Sequence, residues 1–221
     1  FGLTGLPVSK QYGGHGLNAI DTITVLEALG YGCEDEGTVF AASAQLLSTV
    51  IALYKFGQSS LQQLFLKDLV KGVKISAHAI TEEPSGSNVF SINTAAIKTK
   101  GGYRISGKKK YITNAPIADV ILIYATTDKD KGIWGGITPF LIEANREGIK
   151  CTAKINKMGL RTCMMGNIEM DRVVASDADT LGSIGGGYRI FQESINWERI
   201  GISAMMIGIT DRLISNLISY V

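Results

Sequence analysis

Between residues 17 and 70 apolar residues recur three and four apart, first as Ile20, Ile23, Leu26 and Leu29, then as Leu46, Leu47, Val50, Ile51 and Tyr54, and then as Leu61, Leu64, Phe65 and Leu69. That period follows one face of an α-helix and predicts three helices. Gly30, Gly32 and Gly57 with Gln58-Ser59-Ser60 read as stops and starts, with Ser59 or Ser60 placed to cap the third helix. Near Lys74 the period changes to two, with Val73, Ile75, Ala77 and Ala79 at alternate positions. Short strands are predicted at 94–99, 103–106, 111–113, 119–126, 136–142, 151–155 and 167–174, separated by turns such as Lys100-Gly-Gly and Ser106-Gly-Lys. That spacing predicts a small barrel or sandwich. After Gly185-Gly-Gly the helical period returns and runs to Val221 without a stop signal, which implies helical partners beyond this segment.

Composition narrows the class. Of the 221 residues, 45% are hydrophobic and 19% charged, which suits a folded protein with one large core or two modest ones. The net charge of +2 gives no support to nucleic-acid binding. Lys108 to Lys110 is the one compact basic run, and its place after Gly107 reads as a solvated edge at a turn. Residues 39–54 form the most apolar stretch, interrupted by Ser43, Gln45, Ser48 and Thr49 and shorter than the ~20 residues of a membrane span. They read as a buried helix. Cys33, Cys151 and Cys163 form an odd, widely spaced set, which argues for a reducing compartment (the cytoplasm, or the mitochondrial matrix in a eukaryote) and against a disulfide framework or a metal site. Phe1 without a preceding Met suggests that residue 1 is not the native start.

Several chemistries lack their motifs. Only His15 and His78 are present, with no G-x-S-x-G or H-E-x-x-H, so serine-hydrolase and zinc-protease chemistry have no support and histidine catalysis is not expected. The glycine clusters at 13–16 and 182–187 lack the G-x-G-x-x-G order after a strand and read as loops.

Thr81-Glu-Glu-Pro-Ser-Gly-Ser-Asn88 followed by Lys108-Lys-Lys-Tyr-Ile-Thr-Asn114 resembles the two signatures of acyl-CoA dehydrogenases, a T-E-P-x-x-G-S-D loop and a K-x-W-I-T-N strand. The resemblance continues through Leu6-Pro-Val-Ser-Lys-Gln-Tyr-Gly-Gly14, Glu27-Ala-Leu-Gly-Tyr-Gly-Cys33, Lys157-Met-Gly-Leu-Arg161 and Trp197-Glu-Arg199. It implies an α+β multidomain fold: a helical N-terminal domain over 1–73, incomplete at its start, a middle β-barrel over 74–184, and at 185–221 the first helix of a C-terminal helical bundle whose remainder is absent. It also implies FAD. Gly86 and Ser87 match the pyrophosphate-binding part of the loop, where exposed N–H groups and a hydroxyl make an anion-binding concavity. By the same match Thr81 would bond the pyrimidine edge of the flavin, Thr113 would lie near N5, and Tyr111 would replace the usual Trp as an aromatic wall. The extra Glu and Asn88 depart from the pattern and bear on the substrate.

The implied reaction removes the α proton of an acyl thioester and passes a β hydride to flavin N5. The substrate would be an acyl-CoA or an acyl carrier protein thioester, with a slight preference for the carrier, and the oxidant an electron-accepting flavoprotein or O2 in a homodimer or homotetramer. Such chemistry needs a poorly hydrated carboxylate. Glu198-Arg199 stands where isovaleryl and long-chain members carry their catalytic Glu, and Glu198 falls inside an apolar helical stripe of Phe191, Ile195, Ile202, Met205 and Ile209. A carboxylate so placed is catalytic or paired structurally, with Arg199 the nearest partner in sequence. Other readings are an oxidase of the same family and a catalytically silent flavoprotein-like binding module.

Overall fold

The computed structural model describes residues 2–221. The first helix, Ala19–Gly32, begins at Asn18, whose side chain accepts a hydrogen bond from the Asp21 N–H at 2.9 Å and so satisfies a donor of the first turn. Asp35 does the same for the second helix, Glu36–Phe56, accepting from the Thr38 N–H at 3.1 Å. This helix is 21 residues long, longer than its apolar stretch suggested, and has the length and hydropathy to cross a membrane; 67% of its most apolar window is buried inside the protein, as in a core helix. It loosens into a π-helical turn at Gln45–Val50. In the third helical segment, residues 59–70, neither serine is the cap: Gln58 holds that position without a capping bond and its amide donates to the Gly182 carbonyl at 2.9 Å.

Gly30 does not end the first helix. It lies where that helix crosses the long helix Gly187–Tyr220, and a Cβ on Gly30 would come within 2.1 Å of the Met205 carbonyl oxygen, one on Gly208 within 1.9 Å of that of Glu27. The two helices therefore meet backbone to backbone, a contact that any side chain at either glycine would force apart. Further along, Ile207, Leu213, Ile214 and Leu217 of the long helix are exposed.

The sheet contains β1 (Ser76–Ala79), β2 (Ala95–Thr99), β3 (Gly102–Thr113), β4 (Val120–Thr126), β5 (Ile137–Glu143), β6 (Ile149–Cys151) and β7 (Met165–Ser176). Its order is β1-β4-β2-β3-β7-β6, with β5 also on β4. The β4 strand pairs in parallel with β1 and antiparallel with β5, and joins β2 only at Ala95↔Thr126. This single junction lets the sheet curl. Alternation along β4 then divides the core: Val120, Leu122 and Tyr124 pack among the helices, while Ile121, Ile123 and Ala125 fill the inside of the curl with Ile105, Phe140 and Ile168. Burial on both faces accounts for the unbroken apolar run of this strand.

Two expectations fail in β3. No turn occurs at Ser106-Gly-Lys; the segment is one 12-residue strand with irregularities at Ile105/Gly107 and Lys109/Ile112. Gly107 admits the close approach of Thr94, whose Oγ1 would lie 2.4 Å from a Cβ there. Nor is the lysine run wholly solvated. Lys108 and Lys110 pair near the surface with Glu169 and Glu83, but Lys109 is fully buried, its ammonium 2.9 Å from Glu82 Oε1 and 3.0 Å from the Ile80 carbonyl. The strand expected over 151–155 lies instead at Ile149–Cys151.

Candidate active site

The π-helical turn, β1, the end of β3 and the long helix converge on a cavity of about 230 Å³. Two buried amides fix this convergence. Gln45 donates to the Leu69 and Lys74 carbonyls at 3.0 and 3.1 Å and accepts from the Ser76 N–H at 2.9 Å, tying the second helix to β1. Asn114, in the left-handed conformation at φ 64°, donates to the Ala41 and Ser76 carbonyls at 3.2 and 3.3 Å, tying the end of β3 to both. An amide side chain at a left-handed position is a common compromise, since its local polar contacts offset the steric cost.

Thr81, Tyr111, Thr113 and Glu198, four of the residues selected from sequence, line this one cavity. Tyr111 stands at the β3 irregularity with φ 58°, its N–H donating to Asn167 Oδ1 at 3.2 Å and its side chain largely exposed. Gly86 and Ser87 are exposed and lie outside the cavity lining, in the loop that follows Thr81. Glu82 anchors that loop from beneath. Its carboxylate accepts from Lys109 and from the Asn93 and Thr94 N–H groups at 2.6 and 3.0 Å, and its own N–H donates to Ser85 Oγ at 3.0 Å. Burial pushes the Glu82 carboxyl up, but the Lys109 ammonium and these donors together hold it below the usual carboxylate range.

Glu198 sits where the helical stripe predicted. Phe191, Met205 and Ile209 are buried, Ile195 and Ile202 pack against the core, and the Glu198 side chain between them is 19% exposed. Among the described residues it makes no ion pair with Arg199, which is exposed. Burial pushes its carboxyl up to about 7, opposed by the neighbouring Ser48 hydroxyl. At neutral pH such a group both accepts and returns a proton readily, which suits a general base.

The sequence reading missed the partners of Glu198. His78 on β1 lies with Nδ1 3.9 Å from Glu198 Oε1 and Nε2 3.2 Å from the Tyr124 hydroxyl. Its ring stacks on Phe191 at 6.0 Å and 13° and meets Tyr124 edge-on at 5.2 Å. Burial, with the Lys109 charge adding to it, pushes the imidazole down to about 4. Ser76 also lines the cavity; its hydroxyl is buried and has no hydrogen-bond partner among the described residues. Only the period-two placement of His78 among small residues hinted at a lining role.

Among the described residues no group of histidine, cysteine and acidic side chains could hold a metal ion, and all three cysteines are free.

Comparison with known proteins gives two family matches: the acyl-CoA dehydrogenase N-terminal domain at residues 1–73 and the acyl-CoA dehydrogenase middle domain at residues 77–173. An L-prolyl-[peptidyl-carrier protein] dehydrogenase of Serratia sp. (strain ATCC 39006) is 40% identical over 220 residues, covering 100% of this chain and 57% of that protein. Among solved structures, PigA with FAD and proline superposes with a TM-score of 0.97 at 39% identity, covering 99% of this chain and 57% of PigA. The prolyl acyl carrier protein oxidase AnaB superposes at 0.96 and 37% identity, covering 100% of this chain and 58% of AnaB. The chain thus spans less than two thirds of the proteins it resembles.

Proposed function

The chain belongs to the acyl-CoA dehydrogenase family, and from that premise we propose that it oxidises the Cα–Cβ bond of a carrier-protein thioester, a prolyl group in the first instance, with FAD as cofactor. The observation that carries this reading is the Glu198 carboxylate, raised to about 7 by burial and set in the same cavity as Thr81, Tyr111 and Thr113. The cavity fits a flavin ring edge: an unpartnered Ser76 hydroxyl and the Thr81 and Thr113 side chains offer polar contacts beside the exposed face of Tyr111. Thr81 and Thr113 hold the ring, Tyr111 walls it, and Gly86 and Ser87 in the exposed loop hold the pyrophosphate. FAD, when bound, supplies the acceptor for the β hydride. Glu198 takes the α proton, and its apolar stripe keeps water from that carboxylate.

The choice of a carrier-bound prolyl group rests on the names of the Serratia relative and of AnaB and on proline in the PigA structure. The altered loop agrees with it: Glu82 and Glu83 are held by Lys109 and Lys110, so the departure from the family pattern is built into the fold. The intact protein is expected to purify yellow and to bleach without oxygen when given L-prolyl carrier protein, with kcat/KM at least tenfold above that for prolyl-CoA. Equal or better turnover of simple acyl-CoA thioesters would move the substrate assignment to coenzyme A. Sustained turnover in air, with peroxide formed and no electron-accepting flavoprotein present, would place the protein with the oxidases.

A further inference from the structure

Phe191 lines one side of the cavity, and from it a row of aromatic rings leads out to the surface. Phe90, next to the cavity-lining Val89, meets Phe191 edge-on at 5.2 Å; Tyr188 lies 5.3 Å from Phe90, and Trp134 lies 4.5 Å from Tyr188. Three elements supply these rings: the loop after Thr81, the start of the long helix, and the connection between β4 and β5. The outermost ring stands in water. Trp134 is 74% exposed, and Ile184, just before the helix, is 60% exposed. Beside Phe90 opens a cleft of about 290 Å³ whose lining includes Ile92, Ile133, Ile137 and Lys129. An exposed tryptophan next to an apolar cleft with a charged rim has the anatomy of a protein-binding surface.

Resting on the carrier-thioester reading, we propose that the carrier protein docks on this face, with Trp134 as the anchor, and threads its phosphopantetheine arm past Tyr188, Phe90 and Phe191 to Glu198. Reach supports the placement. An extended phosphopantetheine arm spans roughly 18 Å by the dimensions of an extended chain, and Tyr188 stands roughly 15 Å before Glu198 along the helix, at 1.5 Å per residue. Other exposed surfaces fit less well. Arg104 and Arg172 belong to a second basic group, but Arg104 precedes Thr113 on β3 by roughly 30 Å of strand, beyond the arm. The exposed apolar run from Leu213 to Ile218 begins roughly 22 Å past Glu198 on the long helix, in the direction away from the aromatic row. Charge agrees at the rim of the proposed face. Arg189 and Lys129 are exposed and make no ion pair among the described residues, the Arg189 guanidinium resting over the Phe56 ring at 5.6 Å. Asp128 is paired with Lys131, and exposed Asp130 offsets one of the two free cations. The surplus complements the phosphodiester at the carrier end of the arm.

The test compares anaerobic flavin reduction in the intact protein by L-prolyl carrier protein, L-prolyl-CoA and L-prolyl-pantetheine, the last carrying the arm without phosphate, nucleotide or protein. The wild type is expected to prefer the carrier to the pantetheine thioester in kcat/KM, and Trp134→Ala to shrink that preference at least tenfold, chiefly through KM for the carrier. Arg189→Glu is expected to shrink it about tenfold at low salt and much less at high salt. Neither change threatens the fold, since Trp134 is exposed and an acidic residue suits the first turn of a helix. A preference in Trp134→Ala equal to that of the wild type overturns the proposal. Equal losses for prolyl-CoA and the carrier make the face a nucleotide site and overturn it too, as does a smaller oligomer in Trp134→Ala, which marks a subunit contact. A wild type with no preference for the carrier sinks the carrier reading and this surface with it, whereas a preference that survives in both variants sinks the surface alone.

Discussion

Glu198→Gln is expected to slow anaerobic flavin reduction on the order of a hundredfold to ten-thousandfold while flavin content and binding of the product thioester stay within a few-fold, because removing a general base takes away only the proton acceptor. Gln keeps the size of the side chain and its reach towards Ser48 and His78. Stability supplies a second signature. The Glu198 carboxyl is raised from 4.5 to about 7, so the folded state holds its proton more tightly than the unfolded chain, and stability falls as pH rises through that window. Above pH 7 the ionised group costs about 3 kcal/mol. The amide has no charge to desolvate, so Glu198→Gln is expected to be more stable than the wild type by up to that amount at pH 8 and equal to it below pH 4.5. A variant that loses activity and stability together would mark Glu198 as a structural residue.

The second large effect is expected beneath the loop. Lys109→Met strands the Glu82 carboxylate, 4% exposed, with only two N–H donors, and breaking a buried ion pair in this way costs about 3–5 kcal/mol. For a chain of this size that is a fall in Tm of about 6–20 °C. The double variant Glu82→Gln with Lys109→Met is expected to recover at least half of the loss, since no unpaired charge remains. Flavin affinity is expected to fall in the single variant, because Glu82 also holds the loop that carries Gly86 and Ser87. A loss below about 1 kcal/mol, the size seen for exposed pairs, would show that water reaches the pair.

The sequence announced the helices because each buries one stripe, and a stripe repeats at the helical period. Glu198 was legible for the same reason: five apolar residues on its own helix fix the face on which it lies. Lys109 was not legible. A lysine triplet reads as a solvated edge, and the carboxylate that neutralises its middle member lies 27 residues away, across a contact that only the fold creates. Ser106-Gly-Lys looked like a turn because the same residues serve turns and irregular strands; the difference is whether a neighbour such as Thr94 packs against the glycine. Gly30 was misjudged similarly, since a glycine needed for a helix crossing, as Gly30 and Gly208 are here, has no local mark. His78 escaped because a lone histidine in an alternating strand has no motif, and its partners Tyr124 and Glu198 come from a different strand and a different helix.

The most direct test of the base assignment is the pH profile of kcat/KM for anaerobic flavin reduction by L-prolyl carrier protein, which reports the ionisation of the free enzyme. The expected profile rises by about one log unit per pH unit up to an apparent pKa near 7 and then levels, and the rising limb is absent in Glu198→Gln. A wild-type profile flat across pH 7, or a rising limb that survives in Glu198→Gln, would contradict it.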